Sequence, residues 1–201
     1  MRSADDVAGL SALFEDEVNV VVLSGGLDVV STGEPQAALA QPYFRVHTSV
    51  TPSDGAGALI TQMTEFPCLA RAVHFWTEVL AELTGCDLVG VRLARLDAAM
   101  CPRFHVDNVT VRVVGTFAGN GTEYLAEEDV DRRWLGRRSR GVSDEASGLM
   151  RPGARVRQSA ASDVLLLKGE AWPRNASRGA VHRSPPASGE APRLVMTLDP
   201  L

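Results

Sequence analysis

Only four histidines occur in the 201 residues, His47, His74, His105 and His182, and His105 has a carboxylate two positions on, Asp107. In an extended chain residues i and i+2 point to the same side, so this pair could grip one metal ion together. Four histidines among 25 acids give about 0.5 such pairs by chance. The pair therefore draws its meaning from its company. His182 lies in a later β-type run, and Arg193 follows it at the start of the last such run. Two imidazoles and one carboxylate form the facial triad that holds non-haem Fe(II) while leaving coordination positions open. A guanidinium on the neighbouring strand could neutralise the far carboxylate of a bidentate 2-oxo acid. Arg112 is the reserve for that role, because Val111 and Val113 supply the apolar face of its strand and leave Arg112 to face the lumen. The plainer alternatives are a hydrogen-bonded His105–Asp107 pair, a strand-end His182 and a surface ion pair at Arg193.

Other chemistries lack their signatures. The chain has no Walker A sequence, no His-Glu-x-x-His and no Gly-x-Ser-x-Gly, and Gly55-Ala56-Gly57 lacks the third glycine and preceding strand of a dinucleotide fingerprint. Cys68, Cys86 and Cys101 are odd in number and widely spaced, which indicates neither a disulfide framework nor a zinc ribbon. Cys101 reads as a small buried hydrophobe and Trp172 as a core or rim residue. His47 and His74 read as ordinary.

The elements that must hold these residues follow from pattern. Val18 to Leu23 is a β-branched run ended by Ser24-Gly25-Gly26, and Tyr43 to Val50 is bounded by prolines; both read as strands. Leu69, Val73, Trp76, Leu80 and Leu83 recur at helical spacing, and Gly85 stops that helix. After it come short β-type runs: Leu88 to Leu93, Phe104 to Phe117, Asp163 to Lys168, Ala180 to Arg183 and Arg193 to Leu198. Many short strands between Gly, Pro, Asn and Ser clusters predict a sandwich or barrel. The expected layout is a single domain over 1–201, with mixed strands and a buttressing helix in 1–86 and the β-core in 87–201. The stretch 132–158 has eight arginines, several glycines and only two acids, Asp144 and Glu145. It is too long for an ordinary connection and is expected to be a mobile insertion, a flap that an anionic substrate would order.

Composition bounds the function. Apolar residues at 45% and charged residues at 22% permit a substantial core. The net charge of -5 disfavours a protein that coats nucleic acid. No run is long and apolar enough for a membrane span, and the five acids within Met1 to Glu17 are unlike a signal peptide, so the expected compartment is cytoplasmic, with no membrane partner.

Phe104-His105-Val106-Asp107-Asn108, Gly121-Thr122-Glu123-Tyr124-Leu125, Leu166-Leu167-Lys168-Gly169-Glu170 with Trp172, and His182-Arg183-Ser184-Pro185-Pro186 followed by Arg193-Leu194 resemble a bacterial family known as domain of unknown function 1826. The resemblance runs from about Val20 to Asp199. That family is similar in turn to the Fe(II)/2-oxoglutarate-dependent dioxygenases. The resemblance implies an α+β, mainly β fold, a double-stranded β-helix of the jelly-roll or cupin-like kind behind an N-terminal helical layer. It implies that His105, Asp107 and His182 are the catalytic iron ligands and that Arg193 anchors 2-oxoglutarate. It also implies molecular oxygen as a partner and hydroxylation of a small or peptidic, anionic substrate. Many members of the superfamily carry Ser or Thr two positions after the arginine, where this chain has Val195; Ser184, Thr116 and Tyr124 are candidates for the missing contact. Two other classes are compatible with the residues. A cupin-like metal-binding or metal-homeostasis protein would use the same His/Asp/His set without turnover, and an interaction module would use the basic stretch alone. Arg193 discriminates, because only the oxygenase needs an anchor facing the metal.

Overall fold

The computed structural model describes residues 1–28, 33–53, 55–136, 141–175 and 177–201. Among them, ten strands form two sheets. The strands are β1 (Arg2–Ala4), β2 (Val20–Leu23), β3 (Arg45–Val50), β4 (Val89–Leu96), β5 (Val111–Ala118), β6 (Glu123–Leu125), β7 (Arg157–Gln158), β8 (Val164–Lys168), β9 (Val181–Arg183) and β10 (Arg193–Pro200). The major sheet has the order β1-β2-β8-β5-β10-β4-β3, and the minor sheet β7-β6-β9. Pairing is antiparallel except between β1 and β2.

The major sheet is apolar on both faces, and strand periodicity divides its residues between two cores. Val21, Leu23, Val113, Leu166, Leu194, Met196 and Leu198 face a helical layer. Val20, Val22, Ala94, Val114, Leu165, Leu167 and Val195 face the minor sheet and meet Tyr124 and Ala180. The helical layer is α1 (Glu34–Ala40), α2 (Gly55–Gln62) and α3 (Pro67–Thr84). The apolar stripe of α3 puts Leu69, Val73, Trp76 and Leu80 wholly inside, and Gly85 ends the helix in the left-handed conformation, at φ 70°, that a residue with a Cβ resists.

Two expectations change, and a third gains structural detail. The β-core is not confined to 87–201, because β1, β2 and β3 join the major sheet; the run Val20–Leu23, buried on both sides, has to be an interior strand. The run from Phe104 to Phe117 is strand only from Val111. Phe104 to Thr110 is irregular, touching the minor sheet through one antiparallel bridge between His105 and His182. The stretch 132–158 is tied to the core at some of its described residues. Leu149 is buried with Phe104, Leu125, Val130 and Val181. The buried Asp144 accepts the Phe104 backbone N–H at 2.8 Å and pairs with Arg103 at 2.7 Å. Three of its described arginines are paired with acids just upstream: Arg132 with Glu127, Arg133 with Asp131, and Arg157 with Asp129. Arg137, Arg138 and Arg140 lie outside the described residues. No helix among the described residues is long and apolar enough to cross a membrane.

Candidate metal centre

The backbones of His105 and His182 exchange both N–H···O bonds, each 3.0 Å, so the two imidazoles rise side by side with ring centroids 4.5 Å apart. His182 comes from β9, and His105 from the irregular segment beside it. Asp107 is two residues further along that segment, and its position depends on close backbone approach. Three N–H groups, those of Gly169, Glu170 and Ala171, donate to the carbonyls of Thr110, Asp107 and Val109. A Cβ on Gly169 would stand 1.9 Å from the Val109 carbonyl oxygen, so only glycine permits the contact. The carbonyl of Gly169 in turn accepts from the Asn175 amide at 2.7 Å.

Hydrogen bonds select the ring tautomers. Nδ1 of His105 lies 2.9 Å from the Arg103 carbonyl oxygen, and Nδ1 of His182 lies 3.0 Å from that of Ala180. A carbonyl can only accept, so each Nδ1 carries the hydrogen and each Nε2 presents a lone pair. Those Nε2 atoms face Asp107, at 3.4 Å from Oδ1 for His105 and 3.2 Å from Oδ2 for His182. All three groups offer ligand atoms within 4.8 Å of one another. Electron-rich atoms converging in a partly buried site require a cation between them, either a proton or a metal ion. Burial opposes charge on His105, yet the Asp107 carboxylate and the Arg103 carbonyl raise its pKa above the ordinary histidine value. Burial likewise opposes ionisation of Asp107, but the two imidazoles and the Arg112 guanidinium hold its carboxyl well below the usual carboxylate range. Side-chain exposure falls from 29% at His105 to 13% at Asp107 and 8% at His182, so the centre opens on the His105 side.

The other expected site residues divide. A cavity of about 60 Å³ is lined by both histidines, Arg112, Ser184, Arg193 and Val195. Arg193 is 1% exposed, and its guanidinium donates to the Asn120 carbonyl and weakly to the Thr122 hydroxyl, 3.4 Å away. No carboxylate among the described residues pairs with it. Burial pushes Arg193 down to about 10, which still leaves it charged at neutral pH. Thr116, opposite Val195 in the β5–β10 register, is 1% exposed and its hydroxyl has no partner among the described residues, but it sits behind the residues that line the cavity rather than among them. Tyr124 pairs across strands with His182 but packs into the apolar layer, where burial raises its pKa, and it does not line the cavity. Ser184 lines the cavity, with its hydroxyl 3.4 Å from the Cys101 backbone N–H. Cys101 is exposed rather than buried, because the bond from the Ser184 N–H to its carbonyl holds it on the rim of the cavity. Trp172 is partly buried against the helical-layer core, its ring tilted 49° to that of Phe14 with centroids 5.8 Å apart.

Arg112 faces the lumen as expected, but its donors are taken. Nη1 bonds Asp107 Oδ2 at 2.8 Å, while Nε and Nη2 form a fork on Asp199 at 2.7 Å each. Sequence reasoning missed Asp199 as the partner and Thr122 as a cavity residue. Asp199 lies one residue beyond the run read as a strand, Arg193 to Leu198, and only the adjacency of β5 and β10 brings it to Arg112.

The family model described as "Protein of unknown function (DUF1826)" matches residues 4–199. Among proteins of curated function, none matches the chain in sequence. The fold is similar to that of the dioxygenase for auxin oxidation (DAO) in rice, with a TM-score of 0.52 and 13% identity over 97% of this chain and 78% of that one. It is similar to HygX from Streptomyces hygroscopicus with nickel and 2-oxoglutarate bound, with a TM-score of 0.52 and 16% identity over 98% and 87%. It is also similar to JOX2 in complex with 2OG, Fe and JA, with a TM-score of 0.53 and 9% identity over 99% and 74%. At such identities the likeness establishes the architecture, which is the double-stranded β-helix of these oxygenases, mainly β with a helical layer.

Proposed function

Since the chain belongs to the DUF1826 family and has the fold of Fe(II)/2-oxoglutarate oxygenases, we propose that it is an oxygenase of that kind, acting on a small or peptidic substrate with molecular oxygen. The observation that carries this reading is the coexistence, beside one cavity, of three converging ligand atoms and a buried guanidinium that no carboxylate among the described residues pairs with. A metal-storage site would need the first but not the second. The donor set fits the group: two neutral Nε2 atoms and one carboxylate suit iron in its ferrous state.

His105, Asp107 and His182 would hold the metal, with Nδ1 of each ring tied to a carbonyl so that neither imidazole can rotate away. Arg193 would hold the far carboxylate of 2-oxoglutarate. Thr116 would supply the hydroxyl that Val195 lacks, since a buried hydroxyl without a partner costs about 1–3 kcal/mol and an incoming carboxylate oxygen would satisfy it. When bound, the iron and 2-oxoglutarate supply the oxidising chemistry; the chain contributes ligand geometry, co-substrate orientation and a largely apolar cavity wall. Adding Fe(II) and then 2-oxoglutarate without oxygen should produce a metal-to-ligand charge-transfer band. A metal-loaded protein that gives no band would overturn the oxygenase reading in favour of metal binding alone.

A further inference from the structure

Beyond the metal centre the inner face of the major sheet continues toward its β3 edge, where it floors a second, open cleft of about 380 Å³. The registers put His47 opposite Arg92, and Arg92 opposite Thr197. An imidazole, a guanidinium and a hydroxyl therefore stand in one row across three strands, all lining this cleft. Thr197 also lines the cavity that holds the metal ligands and Arg193, so the two spaces share a wall. Adjacent strands lie about 4.8 Å apart, which puts Arg92 one strand and His47 two strands beyond Thr197.

The charge that Arg92 brings to the row is not balanced within it. Arg92 reaches only the Met100 sulfur, at 3.5 Å, and no carboxylate among the described residues pairs with it. Asp199 lines the same cleft, but the Arg112 fork neutralises it. This contrasts with the described arginines that pair with acids at the ends of 132–158. An anion-recognising surface beside the metal thus rests on Arg92 and His47, not on the basic stretch that composition singles out.

We infer that the His47–Arg92–Thr197 row receives the anionic group, a carboxylate or its equivalent, of the primary substrate, whose apolar body then extends toward the metal centre. This deepens the oxygenase reading and rests on it for the identity of the ligand as substrate. A guanidinium contact to a carboxylate is charge-assisted and worth about tenfold or more in affinity.

The test titrates benzoate by calorimetry into protein loaded anaerobically with Fe(II) and saturating 2-oxoglutarate, so that Arg193 is already occupied. Benzoate should bind the wild type and bind Arg92→Gln at least about tenfold more weakly, while benzamide, which lacks the charge, should bind neither. Arg133→Gln, an exposed arginine paired elsewhere, should match the wild type. The charge-transfer band should persist in Arg92→Gln, showing an intact centre. Benzoate affinity unchanged in Arg92→Gln, benzamide binding as well as benzoate, or no binding to the wild type would each overturn the row. A missing band in the wild type would overturn the oxygenase reading instead, and the titration would still decide the row separately.

Discussion

His105, Asp107 and His182 owe their chemistry to what lies behind them. Arg103 and Ala180 fix the ring tautomers through backbone carbonyls, and Arg112 pins one oxygen of Asp107 while Asp199 pins Arg112. Outer partners of this kind typically change metal affinity by about 10–100-fold when removed. Asp199→Asn should therefore weaken Mn(II) or Fe(II) binding within that range and alter the electron paramagnetic resonance spectrum of bound Mn(II). Unchanged affinity and spectrum would reduce the fork to a strand-end ion pair. Metal uptake should also release a proton. His105 is raised in the metal-free protein, so as pH falls through its raised pKa the proton occupies the site and metal affinity should drop. At this scale the sequence points to the candidate ligands, because histidine is scarce and its spacing from Asp107 is short. It is silent about Asp199, since one acid among 25 carries no mark of its partner.

Among the elements, α3 was the most legible, because five apolar residues at helical spacing and a terminal glycine leave few other solutions. The segment that carries His105 and Asp107 was the least legible. Val106 and Val109 suggest a strand, yet the N–H groups of Gly169, Glu170 and Ala171 hold Asp107 to Thr110 as a loop. The determinant is therefore some sixty residues away in sequence, at a glycine, and local pattern cannot report it. Gly169→Ala would drive a methyl group into the Val109 carbonyl. The variant should lose stoichiometric metal, read by elemental analysis, even where circular dichroism shows the sheets intact. Full metal retention would mean that the loop reaches its geometry without this contact. In the stretch 132–158, Arg132, Arg133 and Arg157 look uncompensated only while their acids, Glu127, Asp131 and Asp129, are counted as a separate segment.

For the whole molecule, strand content and the two-sheet plan follow from the many short β-type runs, but strand order does not. Nothing local says that β2 lies beside β8 or that β10 lies between β5 and β4. That order encloses Arg193, and enclosure has a thermodynamic consequence. Burial holds the Arg193 pKa at about 10, below its unfolded value, so the folded state binds this proton less tightly. The resulting penalty is present throughout neutral pH and lifts only as pH rises above about 10. Burying a charge that no carboxylate among the described residues pairs with is costly, so an apolar side chain of similar length in its place is expected to lose no stability. Arg193→Met should therefore unfold at a temperature equal to or above that of the wild type when no anion is bound. In the wild type, 2-oxoglutarate at 100 times its Kd should add about 2.7 kcal/mol, or about 5–11 °C for a chain of this size, measured with Ni(II) in the site to prevent turnover. The variant should show none of that increment while keeping the increment due to Ni(II) alone. If Arg193→Met instead unfolds many degrees lower without ligand, the bond to the Asn120 carbonyl is the reason for the arginine, and co-substrate anchoring must be sought elsewhere on the cavity wall.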